Sequence, residues 1–184
     1  MKTICLTLHR WQEAHTELNR IGITPEKFPA IYNEDPVKSF NQSQAEILSS
    51  ITETTLVVED DVQFIAVDFW TDIMNDVPKE FDLLYLGGNV IEPNKKRVSD
   101  FWWKCTDTWT THAIIYSPEG AKRILELWDQ ELIYDEFLRR NQPQLKAFIC
   151  KPFLAVQKPG YSSLQKQMVM NMIELRDFKA GYHD

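Results

Sequence analysis

Apolar positions along this chain switch between near-continuous runs and helical spacing, and the switches mark the predicted elements. "TICLTL" reads as a first strand. After it, Trp11, Ala14, Leu18 and Ile21 recur at helical spacing, with Gly22 as a natural stop. "FPAIYN" reads as a second short strand. Around "NQSQAEILSSI" the stripe Phe40, Ile47, Leu48, Ile51 predicts a helix, with Ser43 and Glu46 spaced as a capping box. "TLVV" predicts a buried strand, because runs apolar at every position belong to sheets covered on both faces. "FWTDIMNDV" reads as helix and "FDLLYLGGN" as a strand entering a Gly-Gly turn.

Residues 89–109 show no clear period and hold three tryptophans (Trp102, Trp103, Trp109), which predicts a long loop. "THAIIYS" reads as a strand. Ser117, Pro118 and the stripe Ala121, Ile124, Leu125, Trp128 supply a cap, a first-turn proline and an apolar face, the clearest helix here. "YDEFLRRN" reads as a short helix and "LKAFICKPFLAVQ" as strand material, while the methionines of the tail (Met168, Met170, Met172) read as packing. Strands alternating with helices predict an α/β fold around a mostly parallel sheet, with residues 1–184 as a single domain. Ligands of such sheets bind beyond the carboxyl ends of the strands.

Composition narrows the function classes. Hydrophobic content of 43% and aromatic content of 12% over 184 residues exclude a disordered chain. A net charge of −7 argues against general nucleic-acid binding. The basic clusters, Lys95, Lys96, Arg97 and Arg139, Arg140, read as solvated surface. Cys5, Cys105 and Cys150 are far apart and in no metal spacing, so reduced thiols are expected and zinc is not. The opening apolar stretch soon meets His9, Arg10 and Glu13, too short for a signal peptide, and no later run spans a membrane. A soluble, cytoplasmic protein is the expectation.

Candidate chemistry concentrates where "TLVV" ends in Glu59, Asp60 and Asp61. Adjacent like charges raise one another's pKa unless a positive group lies between them. A divalent metal would supply it, and oxygen-only ligands select Mn²⁺ or Mg²⁺. Along an extended chain Glu59 and Asp61 point one way and Asp60 the other. The competing reading is a solvated turn whose acids cap the next helix, and the three acids alone leave both open. Arg10 reads either as a partner for a diphosphate or nucleobase or as surface. Gly87, Gly88 and Asn89 read as a turn or as a close approach to a ligand.

In order along the chain, "LVVEDDVQF", "FDLLYLGGN" and "THAIIYSPEGAKRIL" resemble the family 25 glycosyltransferases, the bacterial lipooligosaccharide and procollagen galactosyltransferases. That family carries an apolar run into Glu-Asp-Asp, an Asp-x-x-x-Leu-Gly strand, Gly-Thr-His-Ala-Tyr before a Gly-Ala helix, and a later Asp. "LTLHR" stands where the family has its opening strand, "NQSQAEIL" near its Ser-His helix, "YDEFL" at the later Asp, and "QKPGYSSLQ" at its closing segment. Three positions depart: Thr7 for Asn, Gln44 for His, and Thr110 for the glycine of Gly-Thr-His-Ala.

The resemblance implies a GT-A (Rossmann-like) fold and a nucleoside-diphosphate sugar donor, in first place a UDP-sugar. It implies Mn²⁺ or Mg²⁺ at Asp61 and Glu59, with Glu59, Asp60, Arg10, Gly87, Gly88, Asn89 and His112 on the donor side. It further implies an inverting mechanism, with Asp135 as general base, and weaker roles for Gln157 and Ser162. The acceptor would be a saccharide such as lipooligosaccharide, or another hydroxyl, a modified nucleobase included. Two other readings stay open: a metal-dependent nucleotide-sugar phosphohydrolase or nucleotidyltransferase, and a degenerate glycosyltransferase fold acting as a binding module.

Overall fold

A computed structural model describes residues 1–90, 96–162 and 167–169. Lys95, Met170, Met172 and the side chains of Ser162 and Met168 lie outside the described residues. The first half runs β1 (Lys2–Thr7), α1 (Trp11–Arg20), β2 (Glu26–Pro29), α2 (Pro36–Ser49), β3 (Thr55–Glu59), β4 (Val62–Phe64) and α3 (Trp70–Asn75). It continues as β5 (Leu83–Tyr85), β6 (Asn89–Val90), β7 (Trp102–Lys104), β8 (Thr108–Trp109), β9 (Ala113–Tyr116), α4 (Pro118–Leu127) and α5 (Tyr134–Asn141). β10 (Ala147–Cys150), β11 (Ala155–Gln157), β12 (Gly160–Ser162) and β13 (Gln167–Val169) follow.

Seven strands form one sheet in the order β2-β1-β3-β9-β5-β10-β7. Only β9 and β7 run against the rest: β9 is antiparallel to both β3 and β5, and β7 to β10. Alternate residues feed two cores. Ile4, Leu6, Val57, Ile114 and Tyr116 pack toward α2, α4 and α5. Cys5, Leu56, Val58, Ala113 and Ile115 pack toward α1 and α3. Burial on both faces is why these strands read as continuous apolar runs. No helix among the described residues is long and apolar enough to cross a membrane.

The reversal of β9 positions the site. Because β9 enters the sheet at the carboxyl end of β3, the residues leading into it lie beside the acids: Glu59 N donates to His112 O at 3.0 Å. On the other side of β9, Leu86 N donates to Ala113 O at 3.0 Å, so the carboxyl end of β5 lies at the same edge. β4 then pairs antiparallel with β11, which places Gln157 opposite Val62, next to Asp61.

Three expectations need correction. α2 begins at Pro36, capped by Asp35, whose carboxylate accepts from Val37 N and Lys38 N; Ser43 and Glu46 form no capping box. Ser43 instead lies buried mid-helix, donating to Ser39 O and accepting from Ile31 N. Asp-Pro is the stronger start signal because proline fixes the first helical φ and needs no donor there. β2 ends at Pro29, so only the first part of "FPAIYN" is strand. Residues 89–109 are not a structureless loop: among the described ones are β6, β7 and β8. Trp102 is fully buried and donates its indole N–H to Ile73 O at 3.1 Å.

Candidate active site

The three consecutive carboxylates reach three different environments. The chain turns at Asp60 and Asp61, immediately after β3 ends. Asp60 faces the β1–α1 loop: its Oδ2 accepts from Thr7 Oγ1 (2.9 Å) and from the backbone N–H of Leu8 (2.9 Å), His9 (3.2 Å) and Arg10 (3.1 Å). Arg10 Nε donates to its other oxygen at 3.2 Å. α1 has no side-chain cap of its own, and Asp60 supplies the negative charge at its start. Burial pushes the Asp60 pKa up, but these hydrogen bonds and the guanidinium outweigh it and hold the carboxyl below its ordinary value.

Asp61 is half satisfied. Its Oδ2 accepts from Arg10 Nη2 at 3.2 Å and from Gln157 Nε2 at 2.9 Å. Its Oδ1 is buried and has no hydrogen-bond partner. Burial is the main cause of its raised pKa, with Asp60 adding to it against the lowering by Gln157 and Arg10. Arg10 therefore bridges Asp60 and Asp61, and is one positive group between the acids.

Glu59 turns toward β9 and α5. Thr111 Oγ1 lies 2.6 Å from Glu59 Oε1 and 2.9 Å from Asp135 Oδ1. Burial, then Asp61 and Asp135, push the Glu59 pKa well up. Burial also lifts Asp135, to about 6, against the lowering by the Thr111 hydrogen bond. Asp135 is the second residue of α5, which forms where the sequence places it and carries Glu136 paired with Arg139 and Arg140.

The other predicted residues fall into two groups. Arg10 joins the carboxylates. His112 is fully buried: Nδ1 lies 3.1 Å from Thr110 Oγ1 and Nε2 3.3 Å from Ala155 O, and burial lowers its pKa to about 4. A neutral imidazole donates from Nε2 and accepts at Nδ1, which ties β9 to β11. Gly87 and Gly88 are close-packing positions. A Cβ at Gly87 would stand 1.8 Å from Ala155 O, and one at Gly88 2.9 Å from Trp109 O. Asn89 pairs with Trp109 across β6 and β8, and its Oδ1 is buried without a partner. Trp109 is covered by the Arg139 guanidinium, 4.7 Å from its ring centre, while Arg97 and Lys151 both lie over the Trp103 ring, at 5.4 and 5.5 Å from its centre.

Thr111 and Thr7 are the site residues that residue type alone does not reveal. A threonine beside a strand has no chemical signature until its neighbours are known. The only signal for Thr111 is its place in the Thr-His-Ala match.

Among the described residues, no group of three or more His, Cys, Asp or Glu side chains is assembled to hold a metal. An all-protein cage is not what Mn²⁺ or Mg²⁺ needs beside a diphosphate, since such ions take one or two carboxylates and complete their shell with phosphate oxygens and water. The unpartnered, buried Asp61 Oδ1 fits that requirement, because a buried carboxylate oxygen without a donor is costly and a hard cation satisfies it.

No protein-family model matches the chain, and no curated protein matches it in sequence. Among solved structures, A197 from STIV superposes with a TM-score of 0.53, covering 92% of this chain and 94% of that one at 12% identity. A glycosyltransferase involved in the glycosylation of the major capsid of PBCV-1 superposes with a TM-score of 0.53, covering 90% and 97% at 10% identity. At these identities the likeness is one of fold. The chain has an α/β fold of the GT-A, Rossmann-like kind, built on the mostly parallel sheet described above.

Proposed function

We propose that this protein is a metal-dependent glycosyltransferase that moves a sugar from a nucleoside-diphosphate donor to an acceptor hydroxyl with inversion. The observation that carries the reading is the division of labour among the carboxylates. Asp61 keeps a buried oxygen without a hydrogen-bond partner beside Arg10, while Asp135 sits with Glu59 around the Thr111 hydroxyl, its pKa lifted to about 6 by burial. The family 25 resemblance adds a UDP-sugar as the first donor to test and a saccharide as the acceptor class.

In this reading Asp61 and Glu59 would hold the divalent ion, and the Arg10 guanidinium would be available to the donor phosphates. A bound divalent ion supplies positive charge where the diphosphate leaving group becomes more negative. Asp60 holds the β1–α1 loop and so sets the position of Arg10. Asp135 accepts the proton of the acceptor hydroxyl as that oxygen bonds to the anomeric carbon. The bond from the anomeric carbon to the phosphate oxygen breaks, and its electron pair leaves with the nucleoside diphosphate. A carboxyl lifted to about 6 is well matched to this task, since a base works best when its pKa lies near the working pH.

The test is a panel of nucleotide sugars with Mn²⁺ or Mg²⁺, with and without saccharide acceptors. Transfer to an acceptor should far exceed cleavage by water, which is poorly positioned against the anomeric carbon. Asp135→Asn should lower kcat by about 10²–10⁴-fold while leaving donor affinity nearly unchanged. Rapid cleavage of nucleotide sugars without acceptor, or of nucleoside triphosphates, would instead identify a phosphohydrolase or nucleotidyltransferase.

A further inference from the structure

Thr111 lies between two carboxylates that come from opposite parts of the chain. Glu59 ends β3, Asp135 lies in the first turn of α5, and the hydroxyl is 2.6 Å from one and 2.9 Å from the other. A hydroxyl carries one proton and cannot donate to both. With Glu59 and Asp135 both ionised, as the transfer requires, that proton serves one of them at a time, and Asp135 Oδ1 lies within its reach at 2.9 Å. A side chain with a purely local role would more simply bond a backbone carbonyl, as Thr16 does with Gln12 O and Ser43 with Ser39 O.

The residue before it shows that this placement is enforced. Thr110 has φ 76°, a left-handed conformation that is strained for a β-branched residue. It is held there by the contact of its Oγ1 with His112 Nδ1 at 3.1 Å, and His112 is in turn anchored to Ala155 O. The strained turn directs Thr111 back to the sheet edge just before β9 begins.

We propose that Thr111 is the positioning residue of the transfer: its hydroxyl, within hydrogen-bond reach of Asp135 Oδ1, fixes that carboxylate against the acceptor side. The inference rests on the transferase reading above. Without that hydrogen bond, Asp135 keeps its place on α5 but its carboxyl is free to rotate away from the acceptor oxygen. Misplacing a reacting group by about 1 Å costs on the order of 10²-fold in rate.

The experiment compares Thr111→Val, which keeps the shape and removes the hydroxyl, with Thr111→Ser, which keeps the hydroxyl. Thr111→Val should lose about 10²-fold in kcat, with the dissociation constant for nucleoside diphosphate and Mn²⁺ changed by less than about threefold. Thr111→Ser should recover most of that loss. Should Thr111→Val fail to fold, Thr111→Ala carries the same comparison. Wild-type kcat in the folded Val or Ala variant overturns the positioning role and leaves the transferase reading standing. Equal losses in Ser and Val overturn it too, since shape rather than the hydroxyl would then matter. A wild-type protein that turns over no nucleotide sugar overturns the transferase reading and the role of Thr111 with it.

Discussion

Asp60, Asp61 and Glu59 are neighbours in sequence, yet burial and bonding send their pKa values in different directions. Asp60 is held low by the backbone N–H groups of the β1–α1 loop, whereas Asp61 and Glu59 are raised chiefly by burial. The sequence marks the cluster because three acids after an apolar strand demand compensation. It does not reveal which acid is committed to what, because Arg10, Thr111 and Gln157 arrive from distant segments. Thr110 is a sharper case at this scale. The family 25 pattern that the sequence resembles has glycine at this position, and a φ of 76° is a conformation that glycine adopts without strain and threonine does not. Thr110→Ala keeps the strain and loses the contact with His112, whereas Thr110→Gly loses the contact but relieves the strain. Urea denaturation should therefore find Thr110→Gly more stable than Thr110→Ala by about 1–2 kcal/mol. Equal stabilities would mean that this backbone is not left-handed in solution.

Elements with strong local signals were legible in the sequence. α4 has its Ser117 cap and Pro118 where expected, and α5 spans the eight residues of "YDEFLRRN". β6, β7 and β8 were not legible, because strands of two or three residues owe their existence to partners elsewhere in the chain. The start of α2 was misplaced for a different reason: an apolar stripe shows where a helix is buried, not where it begins. The approach of α4 to the sheet gives a prediction at this scale. Gly120 faces the Asp82 backbone so closely that a Cβ would stand 2.0 Å from Asp82 O. Ser117 Oγ caps Gly120 N and donates to Phe81 O, so the helix cannot slide to relieve the clash without losing its cap. Gly120→Ala should destabilise the fold by about 3 kcal/mol or more, read as a lowered denaturation midpoint. A midpoint equal to wild type would show that α4 stands further from β5 than described.

For the molecule as a whole, the mostly parallel sheet was readable from the alternation of strands and helices. The reversed β9 was not, since strand direction leaves no mark on an apolar run. Yet that reversal is what delivers Thr111 and His112 to the acids. Two buried groups there oppose one another in the dependence of stability on pH. Burial raises Asp135 from 3.8 to about 6, so its contribution is complete below the ordinary carboxylate value and is lost as pH rises through 6. His112 is lowered from 6.5 to about 4, so its contribution is present above 6.5 and is lost as pH falls through 4. Asp135→Asn removes the first of these and leaves the second. Between about pH 4 and 6 the variant should gain stability with rising pH more steeply than wild type, by up to about 1.4 kcal/mol per pH unit. Parallel melting-temperature curves would contradict the burial of Asp135.

The central claim is that Asp61 holds a divalent ion against a nucleoside diphosphate, and calorimetry with wild type and Asp61→Asn tests it most directly. Wild type should bind a nucleoside diphosphate at least about tenfold more tightly in Mn²⁺ than in EDTA, a gain of about 1.4 kcal/mol. Asp61→Asn, folded by circular dichroism, should bind equally weakly in both. Equal affinities for wild type and variant, with and without the metal, would contradict the account.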